Sequence, residues 1–228
     1  MTRLFFPAVL FLLAALPLAG EEVLRGRIDI DMEPVYALSP EAPYPLDAET
    51  ARRRALEEAA LNFAAMIYGW DFSYEAGEKE RGLAENLDME RRGAVVFGDG
   101  RLRVTDADLD GAHFSVWADY RMSAAQLRRM EQWRAGQNRI IQGTGRADFG
   151  GRGGGSDAWI RGKTAALEDA ARAAIRAMLR GTERNRPRRV RGRIALAEFP
   201  RFYFERGAWA VAARFHVEQI EVEPFPVY

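Results

Sequence analysis

The chain has 228 residues, 48% of them hydrophobic and 29% charged, which suits a globular protein of one large or two small domains. It has no cysteine and two histidines, which excludes disulfides and thiolate chemistry and leaves no material for a histidine-rich metal centre. Net charge is zero but unevenly spread: residues 21–135 carry −8 and residues 136–228 carry +7, an asymmetry that points to association.

The first twenty residues, MTRLFFPAVLFLLAALPLAG, place Arg3 before an apolar run from Leu4 to Leu18 and end in small residues. This is the layout of a signal peptide, shorter than a membrane span and interrupted by Pro7 and Pro17. Glu21 stands where a lipoprotein signal needs cysteine, so the expectation is a soluble exported, periplasmic protein with no lipid anchor and no transmembrane segment in the mature chain.

Two stretches of the mature chain look alike. Residues 24–33 alternate Leu24, Gly26, Ile28, Ile30 and Met32 with charged residues, as a half-buried strand does. Residues 141–149 repeat the pattern, with Gly145-Arg146-Ala147-Asp148-Phe149 matching Gly26-Arg27-Ile28-Asp29-Ile30. Each strand leads through a turn-rich loop (four prolines in 34–45, the run GGRGGGS in 150–156) into an alanine-rich helix. These helices are expected over 48–68 and 158–180, with Asp47 and Asp157 as N-caps and Gly69 and Gly181 as stops.

The apolar stripe Leu56, Ala60, Phe63, Ile67 falls on Leu167, Ala171, Ala174, Met178 at helical spacing, which puts Glu57 and Glu58 on the side away from it. Hairpins close both units, 101–109 with 112–122 and 193–204 with 208–217. Phe114, Val116, Ala118, Tyr120 and Met122 are in phase with Trp209, Val211, Ala213, Phe215 and Val217. The first unit also carries an insert over 70–93, with a short helix expected around 80–91. A linking helix over 124–135 is capped by Ser123.

The expected fold is therefore α+β, a duplicated β-α-β-β unit in which antiparallel sheets each pack an alanine-rich helix on one face. The expected divisions are 1–20 signal peptide, 21–122 first repeat, 123–136 linker helix and 137–228 second repeat.

The order of glycine-bearing strand, alanine-rich helix and hairpin resembles the exported domain shared by small outer-membrane-associated lipoproteins and the N-terminal part of flagellar T-ring/H-ring assembly proteins. The residues that carry the resemblance are Gly26, Ala51, Ala55, Glu58, Ala59 and Ala60, then Gly145, Ala166, Asp169, Ala170 and Ala171. It covers most of both units. It implies a non-enzymatic, envelope-associated protein of ring-like or surface assemblies, and the missing lipid-acceptor cysteine departs from its lipoprotein members.

Motifs that could carry chemistry are incomplete. Asp106, Asp108, Asp110 and Gly111 begin a calcium loop, but Phe114 and Trp117 stand where its later ligands belong. Gly162-Lys163-Thr164 ends like a phosphate-binding loop, yet Asp157 replaces the required glycine and the triplet lies within a helix. His113 and His216 sit at strand positions facing away from the core, with no serine motif near.

The basic run Arg184, Arg186, Arg188, Arg189, Arg191, Arg193 reads as a solvated loop or as a docking patch for an acidic partner surface; export and the lack of interleaved aromatics argue against nucleic acid. The expectation is a non-catalytic exported protein of cell-envelope or flagellar-apparatus assembly, without cofactor or metal. It would act through protein contacts or self-association, the acidic first half docking on the basic second half of the next copy. Outer-membrane or cell-wall association is compatible with this. The alternative is a small-ligand or cell-wall-binding module using Trp70, Trp117 and Trp133.

Overall fold

The computed structural model describes residues 22–33, 45–77, 82–135, 138–148, 158–182 and 187–224. The fold is α+β, as expected, with every strand pairing antiparallel. Strand β1 (Val23–Asp31) turns Leu24, Gly26, Ile28 and Ile30 inward. Helix α1 (Ala48–Ile67) starts where the Thr50 backbone N–H donates to Asp47 Oδ1 at 2.7 Å. It stops at Gly69, whose φ of +66° suits glycine. Strands β4 (Leu102–Asp110) and β5 (His113–Arg121) form the expected hairpin, and β5 lies between β1 and β4 in a three-stranded sheet.

Helix α2 (Ala124–Ala135) opens with a capping box: Ser123 N–H donates to Gln126 Oε1 at 2.9 Å, and Gln126 N–H donates to Ser123 Oγ. Then come β6 (Arg139–Asp148), α3 (Ala158–Thr182), β7 (Pro187–Leu196), β8 (Arg201–Glu205) and β9 (Ala208–Pro224). The expected single strand over 193–204 is broken between Leu196 and Arg201, and its arginine-rich approach over 188–193 is itself strand rather than loop. Helix α3 runs past Gly181 to Thr182; Asp157 and the glycine run 150–155 lie outside the described residues.

The insert does not hold a helix over its described part. It supplies a hairpin, β2 (Trp70–Glu75) with β3 (Asn86–Arg91). Trp70, Phe72 and Tyr74 alternate with Asp71, Ser73 and Glu75, a period-two face that buries against the second half. Strand β2 pairs with β7, giving the order β3-β2-β7-β9-β6 with β8 added on β9. The 21–122 segment therefore does not close on itself: its insert is part of the second half's sheet, and residues of both halves form one core cluster. Phe63 of α1 lies at the join, stacked 6.0 Å from Tyr120 and edge-on 5.2 Å from Phe199.

Both halves place their last strand centrally, β5 beside β1 and β9 beside β6, with a helix after the first strand. Residue equivalence differs from the sequence match, however. Gly26 lies opposite Ala118, while Ala213, the hairpin counterpart of Ala118, lies opposite Gly143 rather than Gly145. A two-residue offset keeps the same face inward, so alternation alone could not detect it.

A polar clamp fastens the entry to β4. Arg101 Nη2 donates to Asp99 Oδ2 at 2.6 Å, and Gln126 Nε2 donates to the hydroxyls of Tyr68 and Tyr120 at 2.8 and 2.9 Å. The Arg101 fork holds the Asp99 carboxyl down to about 2 from its ordinary 3.8. A depressed carboxylate favours the fold above its unfolded value, and that contribution is lost as pH falls through the folded one. Asp99→Asn is thus expected to flatten the loss of stability between about pH 4 and about pH 2, read from urea midpoints across that range.

Candidate functional site

Arg189, Arg191 and Arg193 stand on one face of β7, flanked by carboxylates in three rows across four strands. These rows are Glu90–Asp71–Arg193–Glu218, Asp88–Ser73–Arg191–Glu221 and Asn86–Glu75–Arg189–Glu223. Arg189 Nε donates to Glu75 Oε1 at 2.8 Å, Arg191 reaches Glu221 at 3.2 Å, and Arg193 reaches Glu218 at 3.4 Å. Seven carboxylates against three guanidinia make this face net acidic. Strand pairing sets acids from distant parts of the chain beside these three arginines of the expected docking patch. Arg188 is exposed on the same strand, and Arg184 and Arg186 lie outside the described residues.

The charge split between the halves is partly met inside the molecule. Glu75 pairs with Arg189, Asp71 with Arg193, Glu85 with Arg176 and Glu58 with Lys163. In each pair the acid comes from the first half and the base from the second. These four pairs take up part of the charge asymmetry within the chain.

The fourth pair is the most enclosed. Lys163 Nζ donates to Glu58 Oε2 at 2.5 Å, with the two side chains 2% and 4% exposed. The ammonium lies 4.5 Å from the ring centroid of Trp209, 5.4 Å from Phe202 and 5.5 Å from Trp159. Aromatic faces supply negative potential to a cation cut off from water. Helical spacing predicts Glu58 on the side away from the buried stripe, but the buried face of α1 includes Ala51, Ala55, Glu58, Ala59 and Asn62. A signal for Lys163 was present: it is one of two lysines among 33 basic residues, and it sits four residues from both Trp159 and Leu167 on an apolar helix face. Sealed in this way, neither group can meet a solute as nucleophile or base.

Above the pair, α1 and α3 are separated by a groove of about 510 Å³. Ala60, Leu61 and Ala64 form one wall, Ile160 and Ala165 the other, and the segment after β3 closes the end. In that segment Val96 and Phe97 are 67% and 50% exposed. The rim carries two acids, Glu57 and Glu168, and two bases, Arg91 and Arg161.

The other sequence candidates are dispersed. Asp106, Asp108 and Asp110 run along β4 opposite Trp117, Ser115 and His113, instead of curling about a common centre. Among the described residues no cluster of three His, Asp or Glu could hold a metal ion. His113 is exposed, whereas His216 is half-buried beneath Trp133, 6.5 Å between ring centroids, because α2 covers that face of the sheet. Its imidazole is held below the ordinary value by burial, helped by Arg134 and Arg214. Of the three tryptophans considered for wall binding, Trp70 and Trp133 are buried and only Trp117 reaches the surface, under the Arg25 guanidinium at 4.7 Å.

A family model, for a family of uncharacterized proteins, matches residues 16–225. The chain belongs to that family. An uncharacterized protein of Treponema pallidum (strain Nichols) is 26% identical over 192 residues, covering 84% of this chain and 75% of that protein. No solved structure matches. The family match runs through both sheets and across α2, so the unit the family shares comprises the two halves together.

Proposed function

We propose that the protein is a non-catalytic exported component of cell-envelope or flagellar-apparatus assembly, as the resemblance to outer-membrane-associated lipoproteins and flagellar ring proteins implies, and that it works by self-association through the groove between α1 and α3. The observation that carries this reading is the apolar lip of Val96 and Phe97 exposed beside an apolar groove. Side chains of this kind scattered singly need no explanation, but a lip adjoining a matching hollow is the form of a contact surface.

The occupant is a second copy. Lip and groove are adjacent, so a two-fold axis lets each copy insert Phe97 into the other. The balanced rim also suits this arrangement, since a two-fold brings Glu57 and Glu168 of one copy toward Arg91 and Arg161 of the other. Among the described residues no helix is long and apolar enough to cross a membrane.

Sedimentation velocity of the full chain tests the proposal. Wild type is expected to form dimers that persist at high salt, because the contact is mainly apolar. Phe97→Asp is expected to be monomeric with an unchanged far-UV spectrum. A wild-type chain that remains monomeric at high concentration overturns the proposal, as does a Phe97→Asp variant that associates normally.

A further inference from the structure

A second cavity, of about 350 Å³, lies on the opposite side of β2 and β7 from the core, where five segments meet. Arg92 follows β3, with its backbone N–H donating to Gly69 O at 3.1 Å. Arg129, Gln132 and Trp133 come from α2, Asn138 precedes β6, and Arg193 and Glu218 face each other across β7 and β9. Trp133 forms the floor and is itself fixed: its indole N–H donates to Ile67 O at 3.2 Å and its ring stacks on His216.

Three guanidinia converge here with fewer carboxylates to meet them. Asp71 is shared, 3.5 Å from Arg92 Nε and 3.5 Å from Arg193 Nε, and Glu218 is 3.4 Å from Arg193. Among the described residues no carboxylate pairs with Arg129; its guanidinium lies 5.2 Å over the Tyr68 ring. With Asp71 and Glu218 both counted, the cavity keeps one positive charge in excess. The side-chain amides of Gln132 and Asn138 add neutral donors.

Like charges gathered in a concave site are stabilised by an anion, and planar guanidinia match the paired oxygens of carboxylate and phosphate. We propose that this cavity binds a small oxyanion, carboxylate or phosphate, held by Arg92, Arg129 and Arg193. The site is independent of the groove between α1 and α3 and of any self-association there. Arg129 is its main determinant, because it brings charge that no neighbouring acid neutralises. Arg193, one of the arginines singled out in the sequence, then acts on a small anion rather than on an acidic protein surface.

Isothermal titration calorimetry with inorganic phosphate and with citrate, each in chloride buffer, tests this on the full chain. Saturable binding at one site per chain is expected for at least one of them, and the stronger identifies whether phosphate or carboxylate is preferred. Arg129→Gln is expected to weaken it roughly tenfold or more, the loss of a charge-assisted contact. Asn138→Asp, which places a carboxylate at the cavity wall with little change in shape, is expected to weaken it comparably and provides a second reading should Arg129→Gln fold poorly. The exposed Arg25→Gln is expected to leave it unchanged. Absence of saturable binding to either anion overturns the assignment, as does binding that survives both cavity variants.

Discussion

Lys163→Met is expected to destabilise the protein by about 3–5 kcal/mol, the usual result of removing one partner from a buried ion pair. For a domain of this size that is a fall in Tm of very roughly 6–20 °C. The cost arises at the residue left behind. Glu58, inside the core on α1, would be left a buried carboxyl group with neither water nor cation to meet it. Methionine fills much of the volume between Trp159, Phe202 and Trp209, so a cavity is not the main term.

The double variant Glu58→Leu with Lys163→Met separates the two causes. Apolar replacement of both partners is often neutral, so the pair of changes should cost much less than Lys163→Met alone. Urea unfolding followed by tryptophan fluorescence reads both, since Trp159 and Trp209 flank the ammonium. A single substitution costing below about 1 kcal/mol would show that water reaches the pair.

The position of the pair explains why an expensive arrangement is useful in this fold. Helices α1 and α3 belong to different halves and are held apart by the groove. Apolar packing of each alanine-rich helix on its own sheet is non-directional and tolerates sliding, whereas one ammonium facing one carboxylate fixes a register. The double variant should accordingly fold but hold α1 and α3 less uniquely, with a weaker near-UV spectrum. An unchanged near-UV spectrum in the double variant would show that the pair does not set the register.

What could be read in the sequence follows from the range of the interactions involved. Local patterns were dependable: Asp47 and Ser123 cap the helices they were expected to cap, the hairpin about Asp110-Gly111 forms, and Leu167, Ala171, Ala174 and Met178 are buried together. Partner choice was not readable. Trp70, Phe72 and Tyr74 carry a clear strand pattern, but nothing near them says that β2 will pair with β7, more than a hundred residues away. The same step decides the fate of the arginines. A run of like charge in the sequence looks solvated or sticky, and only the strand register shows Glu75, Glu221 and Glu223 alongside it. Glu58 was missed because two adjacent glutamates sit about 100° apart on a helix, so one of them can turn into the core while the other faces solvent.

Gly145→Ala is expected to cost about 3 kcal/mol, the upper part of the range for overpacking, and Gly145→Val to prevent normal folding. A Cβ at Gly145 would lie 2.1 Å from Ala166 O and 2.2 Å from Ala170 N; at Gly143 it would lie 2.0 Å from Ala170 O. All three obstacles are backbone atoms of α3, so relief requires the whole helix to lift from β6, which strips the strand of its contacts with the fully buried Ala166, Ala170 and Ala174 of that helix. Gly26 offers the contrasting case. A Cβ there would meet the Phe199 ring at 2.3 Å, and a side chain can rotate where a helix backbone cannot. Gly26→Ala should therefore cost less than Gly145→Ala, although the sequence treats the two glycines as equivalents. Urea unfolding of the two variants side by side measures the difference. Equal losses would mean that Phe199, wedged against Phe63, is as immovable as the α3 backbone, and that both halves depend on their glycines in the same way.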